Sequence, residues 1–233
     1  MKKILIISLA CVLAFTTTAC SLFKKTDAVK FKEEYESLNG VKSKKTGKIN
    51  RSVNISKDNV FVYKKASDIV DAINNKETFA VYFGFSECPW CRSVISTLSE
   101  VATDIGIDEI YYVNVSDIRD ELEVKNGKIV TKKQGDKSYM KLLKLLDNVL
   151  DDYTLTDDND KEISTSEKRI YAPNVVSVVA GKAIKKDTGI SDKQTNPYMK
   201  LTAKMKKETY NKFKCILECV TENKNSCSID KKC

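Results

Sequence analysis

Residues 79–93 read FAVYFGFSECPWCRS, and this stretch decides the fold around which the rest of the chain is organised. Residues 79–85 form an apolar run rich in aromatic and β-branched residues, which predicts a buried strand. From Pro89 onward the apolar residues recur at steps of three and four, which predicts a helix to about Asp104; they are Val94, Ile95, Leu98, Val101, Ala102 and Ile105. Because proline is favoured in the first turn of a helix, Cys88 is placed at the helix N-terminus and Cys91 one turn further along.

Two cysteines in this position are suited to thiol–disulfide exchange. The unpaired N–H groups at the start of a helix stabilise a negative sulfur, so we expect the pKa of Cys88 to lie below that of a free thiol. Thiol–disulfide exchange requires an attacking thiolate, which a thiol of low pKa supplies, and a second thiol close to it. The sequence therefore predicts a redox-active pair, Cys88 and Cys91, that needs no other cofactor.

Two other interpretations of the cysteine pair are weaker. Half of a structural zinc site would need further ligands, but the chain has no histidine and no second CxxC motif. A purely structural disulfide is rarely placed where a strand passes into a helix. The acidic turn at residues 157–160 lacks the glycine and the distal glutamate of an EF-hand loop, so we predict no metal site there either.

The composition is that of a soluble globular protein. Of 233 residues, 42% are apolar and 31% are charged, enough for one well-packed domain with additions. The net charge of +8 is concentrated near the N-terminus, where residues 21–57 predict a lysine-rich, loosely attached tether. The aromatic residues of this segment do not interleave with the lysines in base-stacking fashion, so we expect no nucleic-acid binding and, at most, attraction to an anionic membrane surface.

The first twenty residues predict an export signal. Lys2 and Lys3 precede an apolar segment, residues 4–15, that is too short for a folded membrane anchor. Residues 17–20 then resemble a bacterial lipobox ending in Cys20, with Thr17 in place of the usual leucine. We expect lipidation of Cys20 and a location on the outer face of the cell membrane; a plain secretory signal would instead release the protein.

The remaining cysteines agree with an oxidising compartment. Of eight cysteines, Cys11 leaves with the signal, and four form a C-terminal set: Cys215, Cys219, Cys227 and Cys233. Four clustered cysteines in an exported protein predict two structural disulfides with three possible connectivities. A nested pairing would join the second with the third and the first with the fourth. A second redox relay is the less favoured alternative, since nothing there resembles an activated thiol.

The order of elements predicts an α/β fold with parallel strands and helices on both faces. A strand at residues 60–63, a helix capped by Ser67, the strand at 79–85, its helix and a strand at 109–115 alternate along the chain. An excursion follows at about residues 117–168. Within it we predict a helical start at 117–122, a hairpin turn at Asn126–Gly127 and an amphipathic helix from Tyr139 to Tyr153.

The last third of the chain predicts a hairpin and a closing helix. Residues 169–184 form two antiparallel strands that turn at Gly181–Lys182. Pro173 opens the first of them, a position suited to a cis proline. The final helix is predicted from Tyr198 to Val220.

Together these features resemble the thioredoxin fold, over about residues 58–116 and 169–220. The lipoprotein start, the leucine-rich helix and the Arg-Ile-Tyr-Ala-Pro segment at residues 169–173 are similar, more narrowly, to the thioredoxin-like bacteriocin transport accessory proteins of Gram-positive bacteria. The expected division is a signal at 1–20, the tether at 21–57, a thioredoxin-like domain at 58–220 with a helical and hairpin insertion at about 117–168, and a cysteine-containing tail at 221–233.

The resemblance implies roles for individual residues. Cys88 would be the exposed nucleophile and Cys91 the buried resolving cysteine. The substrate would contact four residues around them: Pro89, Trp90, Ala172 and Pro173. One departure is that Tyr82 stands where thioredoxins carry a buried carboxylate that assists proton transfer, and no histidine can replace it.

These observations predict a membrane-anchored, extracytoplasmic thiol–disulfide oxidoreductase. Its partners would be protein thiols or disulfides and a redox partner, and we expect a monomer. Pro89–Trp90 differs from the Gly-Pro of reducing thioredoxins, which leans towards oxidation or isomerisation, although the sequence does not fix the direction. The alternative is a non-catalytic scaffold that serves an exporter or surface assembly, with Cys88–Cys91 as a vestigial bridge.

Overall fold

A five-stranded mixed sheet forms the centre of the protein, whose computed structural model describes residues 25–157 and 159–221. The strands are β1 Phe61–Tyr63, β2 Phe79–Gly84, β3 Ile110–Asn114, β4 Glu121–Lys125, β5 Lys128–Lys133, β6 Asp151–Thr156, β7 Glu162–Arg169, β8 Asn174–Val179 and β9 Lys182–Asp187. The helices are α1 Asp27–Glu36, α2 Ala66–Asn74, α3 Pro89–Asp104, α4 Lys137–Leu145 and α5 Ala203–Leu217, the last continued by a 3₁₀ turn at Glu218–Val220.

The central sheet has the strand order β1-β3-β2-β8-β9. Strand β3 runs parallel to both β1 and β2, whereas β8 is antiparallel to β2 and to β9. At the carboxyl end of β2, Phe83 pairs with Val113 on one side and with Asn174 on the other. The predicted α/β class is confirmed, and β2 lies in the middle of the sheet.

Helices cover both faces of this sheet, because side chains alternate along the buried strands. Ala80 and Tyr82 of β2 face a core layer built with α1, α3 and α5. Val81 and Phe83 face a second layer built with α2 and α4. All six residues of β2 are buried, so the segment that carries the cysteines starts from the most enclosed strand.

The N-terminal segment is part of the core, and the prediction of a loosely attached tether at 21–57 is wrong for residues 25–57. Helix α1 begins where the Thr26 hydroxyl accepts a hydrogen bond from Val29 N at 3.3 Å. Phe31 and Tyr35 are 0% exposed, and the Phe31 ring stacks on Phe61 with centroids 4.0 Å apart. The high lysine content of the segment led to the prediction of a tether. Phe31 and Tyr35 instead anchor the segment in the core.

After α1 the chain forms a small hairpin at residues 40–50. Lys42 and Ile49 form an antiparallel bridge, and backbone hydrogen bonds close the loop between Ser43 and Lys48 at 2.8 Å and between Val41 and Asn50 at 2.9 Å. We call residues 40–50 the N-terminal hairpin.

The excursion at 117–168 differs in part from its prediction. The hairpin turn at Asn126–Gly127 is confirmed, with φ angles of 53° and 70°. The expected helical start at 117–122 is wrong, since a turn there leads into β4. The amphipathic helix ends at Leu145 rather than near Tyr153, and Tyr153 lies in β6. Asn148 in the intervening turn donates to the Ala183 carbonyl at 2.9 Å, which favours the turn over further helix.

The C-terminal part follows its prediction more closely. Strands β8 and β9 turn at Ala180–Gly181, one residue earlier than the predicted Gly181–Lys182. Helix α5 begins at Ala203, five residues later than predicted, because the Thr202 hydroxyl caps it by accepting from Met205 N. Ser67 is likewise not the cap of α2; Lys65 occupies that position. Among the described residues, no helix is both long enough and apolar enough to cross a membrane.

Candidate functional site

Cys88 and Cys91 lie at the junction between β2 and α3, as predicted. Cys88 is the residue that caps α3, with φ −71° and ψ 117°, and Pro89 is the first helical residue. The Cys88 sulfur accepts a hydrogen bond from the backbone N–H of Cys91, with N and Sγ 3.4 Å apart. Both cysteines are free thiols in this structure, so the geometry is that of the reduced pair.

The two thiols ionise differently. The pKa of Cys88 is lowered, first by the hydrogen bond from the Cys91 thiol and then by the backbone N–H groups of Cys91 and Trp90 and the charge of Arg119, while burial opposes the shift. Burial raises the pKa of Cys91 well above that of an ordinary thiol, and the nearby Cys88 raises it further. Cys88 therefore loses its proton first, and Cys91 keeps its own.

Cys88 is less accessible than the resemblance implies. It is 6% exposed, and Cys91 is 0% exposed, so the expectation of an exposed nucleophile is wrong. Access to Cys88 is through a groove of about 470 Å³ that it lines together with Phe85, Pro89 and the N-terminal hairpin. A larger cleft of about 580 Å³ lies along α3 and α5, but neither of the two cysteines lines it. Of these two cavities, the groove is the one that Cys88 lines.

A cis proline adjoins the cysteine pair. The peptide bond between Ala172 and Pro173 is cis, and the Cys88 thiol donates to the Ala172 carbonyl at 3.4 Å. Ala172 is half-buried and Pro173 is buried. The structure thus brings together Cys88, Pro89, Ala172 and Pro173, which are separated by about 80 residues in sequence.

Trp90 does not flank the groove in the way that was expected. It is half-buried and packs against the core layer of α1, α3 and α5. Its carbonyl oxygen accepts from the Ser93 hydroxyl at 2.7 Å. Phe85 and Pro89 line the groove together with Cys88, and Trp90 does not.

Tyr82 and Cys91 lie in the same buried core layer. Its ring lies over Gly84, where any Cβ atom would overlap the ring, and its hydroxyl reaches the Cys91 thiol. That hydrogen bond lowers the pKa of Cys91 against the larger effect of burial. The Tyr82 hydroxyl also lies 3.0 Å from that of Tyr35, which donates to it because the single Tyr82 proton is directed to sulfur.

The two tyrosines cannot act as bases. Burial raises the pKa of Tyr35 and that of Tyr82 well above their usual value, so both hydroxyls stay protonated. Where thioredoxins are expected to use a carboxylate to accept a proton, this chain presents a relay of two donors that stabilises a Cys91 thiolate. The sequence located Tyr82, but Tyr35 falls in the segment that was predicted to be a tether.

Arg119 was missed by the sequence analysis. It lies in the turn between β3 and β4, with its guanidinium 5.3 Å from the centre of the Phe85 ring, and its positive charge lowers the pKa of Cys88. Nothing in its local sequence identifies it, because its position beside Cys88 results from the tertiary fold. The one available clue is composition: the chain contains only four arginines, at positions 51, 92, 119 and 169, and arginine is preferred to lysine for buried contacts.

Arg92 was also missed, although it follows Cys91 directly. It is 1% exposed, and its guanidinium donates to four acceptors: the carbonyls of Tyr35 at 2.8 Å, Arg51 at 2.8 Å and Ser86 at 3.1 Å, and the side chain of Asn39 at 2.7 Å. Three of these acceptors belong to the N-terminal segment. Arg92 thereby fastens that segment to the helix that carries the cysteine pair.

The structure bears on only part of the other predicted sites. Cys215 and Cys219 are both disulfide-bonded, one turn apart at the end of α5. Cys227, Cys233 and the lipidation candidate Cys20 lie outside the described residues, so the pairing of the C-terminal set stays a prediction.

Comparison with known proteins gives no assignment. No protein-family model matches this chain, and no curated protein matches it. The arguments for its function therefore come from the residues and their geometry.

Proposed function

We propose that this protein is a thioredoxin-like thiol–disulfide oxidoreductase that acts through Cys88 and Cys91. The observation that carries the proposal is geometric: the Cys88 sulfur caps α3, accepts the Cys91 N–H at 3.4 Å and adjoins the cis Ala172–Pro173 bond. The pKa of Cys88 is lowered there and that of Cys91 is raised. Such asymmetry divides the roles of attacking and resolving cysteine.

The surroundings of the pair support a thioredoxin-like assignment. Three neighbouring strands and one antiparallel hairpin form the order β1-β3-β2-β8-β9, with the cysteines after the middle strand and a cis proline before β8. The 117–168 segment would be an insertion into such a fold, and the similarity to bacteriocin transport accessory proteins belongs to the same proposal.

In the proposed reaction the Cys88 thiolate attacks one sulfur of a substrate disulfide. A bond forms between Cys88 and that sulfur, and the other substrate sulfur leaves as a thiolate that takes up a proton. Cys91 then gives up its proton and attacks Cys88, which forms the Cys88–Cys91 disulfide and releases the second substrate thiolate. The substrate gains two electrons and the cysteine pair loses two; a dithiol protein must reduce the pair again. The reverse sequence oxidises a substrate dithiol.

Tyr82 contributes to the resolving step. The Cys91 thiolate must exist briefly before it attacks, and burial opposes its formation. The Tyr82 hydroxyl, supported by Tyr35, stabilises that charge without accepting the proton. The proton itself passes to the departing substrate thiolate or to water in the groove.

The proposal is tested by capture of a substrate. Cys91→Ser should accumulate a mixed disulfide between Cys88 and its partner, since nothing resolves it, whereas Cys88→Ser should capture nothing. In parallel, reduction of insulin in the presence of dithiothreitol and oxidation of a dithiol peptide give the activity in each direction. Absence of both activities, with no partner captured by Cys91→Ser, would contradict the proposal.

One observation favours a second function, that of a non-catalytic scaffold. Because Cys88 is only 6% exposed, the domain could serve as a non-catalytic scaffold for an exporter or surface assembly. The same capture experiment separates the two, because a scaffold retains its partner without any cysteine. Export, lipidation of Cys20 and attachment to the outer face of the membrane are part of the proposal in both cases.

A further inference from the structure

The groove beside Cys88 has one wall that the sequence did not predict. The N-terminal hairpin supplies this wall, with Val41 at its edge and Leu38 just before it, and the opposite wall consists of Phe85, Cys88 and Pro89. The surface between them is mostly apolar, and Val41 is 45% exposed. A groove of about 470 Å³ is large enough to hold a few residues of an extended peptide.

The hairpin wall is held in place before any ligand arrives. Asn39 makes two hydrogen bonds of 2.9 Å with the backbone of Val53, and Arg92 donates to the Asn39 side chain. At the far end, the Thr46 hydroxyl lies 2.9 Å from that of Tyr198, and Lys48 lies over the Tyr198 ring. A ligand in this groove therefore does not have to order its own binding site.

The rim of the groove is positively charged. Lys42, Lys44 and Lys45 line it and are exposed, and none of them forms an ion pair with any residue in 25–157 or 159–221. Glu87 is the only acidic residue in the lining, and it accepts a hydrogen bond from the neighbouring Ser86 hydroxyl at 3.2 Å. Three uncompensated ammonium groups thus surround the entrance to one reactive sulfur.

We infer that this groove binds an extended segment of the substrate protein in which the reactive cysteine is flanked by acidic residues and one apolar residue. The inference rests on the proposed function and names the substrate class for the same site. The apolar side chain lies between Val41 and Phe85, the substrate sulfur meets Cys88, and the flanking carboxylates face Lys42, Lys44 and Lys45. Charge complementarity of this kind raises the rate of encounter more than it raises the affinity.

A membrane surface is a poorer fit for the same lysines. They surround a concave groove with a thiol in its wall, whereas a bilayer headgroup layer is flat and would cover the entrance. A peptide can enter the groove and place its sulfur at Cys88. The experiment below includes lipid binding as an outcome that overturns the inference.

The test uses the reduced full-length protein and three synthetic peptides of equal length. Each peptide contains one cysteine blocked as a 2-thiopyridyl mixed disulfide, flanked by aspartates, by asparagines or by lysines. Exchange at Cys88 and resolution by Cys91 release the peptide thiol and thiopyridone, whose absorbance gives the second-order rate constant. We expect the acidic peptide to react roughly tenfold faster than the basic one at low salt. The difference should nearly vanish in about 1 M sodium chloride, where the screening length is about 3 Å.

Two charge-matched variants locate the effect. The triple substitution Lys42→Glu, Lys44→Glu and Lys45→Glu should abolish or invert the preference for the acidic over the basic peptide. The triple substitution Lys125→Glu, Lys128→Glu and Lys141→Glu changes net charge equally at exposed positions away from the groove, and it should keep the preference. Far-ultraviolet circular dichroism and a urea titration show that each variant is folded.

The outcomes are distinct. Equal rates for all three peptides with the unaltered protein, or a preference that survives in the groove variant, overturn the inference but leave the oxidoreductase intact. A groove variant that keeps its peptide preference but loses binding to vesicles of phosphatidylglycerol assigns the lysines to the membrane instead and also overturns it. No reaction with any peptide contradicts the proposed function itself.

Discussion

The hydroxyl of Tyr35 lies 3.0 Å from the hydroxyl of Tyr82, and this pair connects the N-terminal helix to the surroundings of Cys91. Tyr35 belongs to α1 and Tyr82 to the central strand, so the contact spans 47 positions in the chain. Both residues are 0% exposed. Because both hydroxyls stay protonated, the pair acts as a fixed source of hydrogen bonds to Cys91 and not as a proton acceptor.

We expect Tyr82→Phe to slow the resolving step. The variant removes a hydrogen bond that lowers the pKa of Cys91, so burial raises that pKa further. A hydrogen bond to a charged group contributes about 1.5–3 kcal/mol, so resolution should slow by about tenfold or more while the first attack by Cys88 is little changed. Rapid acid quenching and mass spectrometry would detect the accumulated mixed disulfide.

Tyr112→Phe is the matched control for this measurement. Tyr112 stacks on Tyr82 in the same aromatic cluster, but its hydroxyl donates to Glu34 at 2.8 Å and not to sulfur. This variant should resolve at the normal rate. Equal slowing in both variants would mean that packing, and not the Tyr82 hydroxyl, controls Cys91.

We expect Cys88 to react as a thiolate at lower pH than an ordinary thiol, and Arg119→Met to reduce that advantage. Alkylation by iodoacetamide requires the thiolate, so its rate falls as pH drops through the pKa of Cys88. Loss of the Arg119 charge raises this pKa, and alkylation near neutral pH should slow by roughly two- to fivefold. Arg119→Lys keeps the charge and should keep most of the rate. Identical pH profiles for the unaltered protein and Arg119→Met would exclude the electrostatic role.

Arg92→Met should destabilise the whole domain. The substitution removes the charged donor from the buried carbonyls of Tyr35 and Ser86, and the loss of a buried hydrogen-bond partner is strongly destabilising. We predict a decrease of about 2–4 kcal/mol in the free energy of unfolding, measured in urea. Arg92→Lys should also lower it, by at least about 1 kcal/mol, because one ammonium group cannot reach four acceptors. A Lys variant as stable as the original would show that charge alone is sufficient.

Phe31→Ala tests the position of the N-terminal segment. Phe31 is 0% exposed in the layer between α1 and the sheet, so its truncation should reduce the free energy of unfolding by about 3–5 kcal/mol. Ile49→Ala, at a residue of the same segment that is 58% exposed, should change it by no more than about 0.5 kcal/mol. If residues 25–57 were a loose tether, both substitutions would be silent in a denaturant titration.

Features set by neighbouring residues were predictable from the sequence. The buried strand, Pro89 and the apolar spacing placed Cys88 at the start of α3, and Asn126–Gly127 gave its hairpin turn because left-handed backbone angles favour those residues. The hairpin of β8 and β9 was found for the same reason. In each case a few adjacent residues are sufficient to determine the local structure.

Features set by distant contacts were not predictable. Phe31 and Tyr35 lie among lysines, and only the sheet they pack on makes them core residues. The leucine-rich periodicity continues past Leu145, although the chain turns there through Asn148 into a strand. Arg119 and Arg92 become parts of the site because the fold brings their guanidinium groups to Phe85 and to the N-terminal segment. The sequence around each arginine does not indicate which distant residues it contacts in the folded protein.

The bond from the Cys88 thiol to the Ala172 carbonyl links ionisation to docking. A thiolate has no hydrogen to donate. Deprotonation of Cys88 therefore makes the sulfur nucleophilic and also leaves the Ala172 carbonyl, beside Pro173, without this donor. A backbone N–H of a bound substrate can then donate a hydrogen bond to the Ala172 carbonyl. The fraction of Cys88 present as a reactive thiolate and the availability of the Ala172 carbonyl to a substrate N–H would therefore increase over the same pH range.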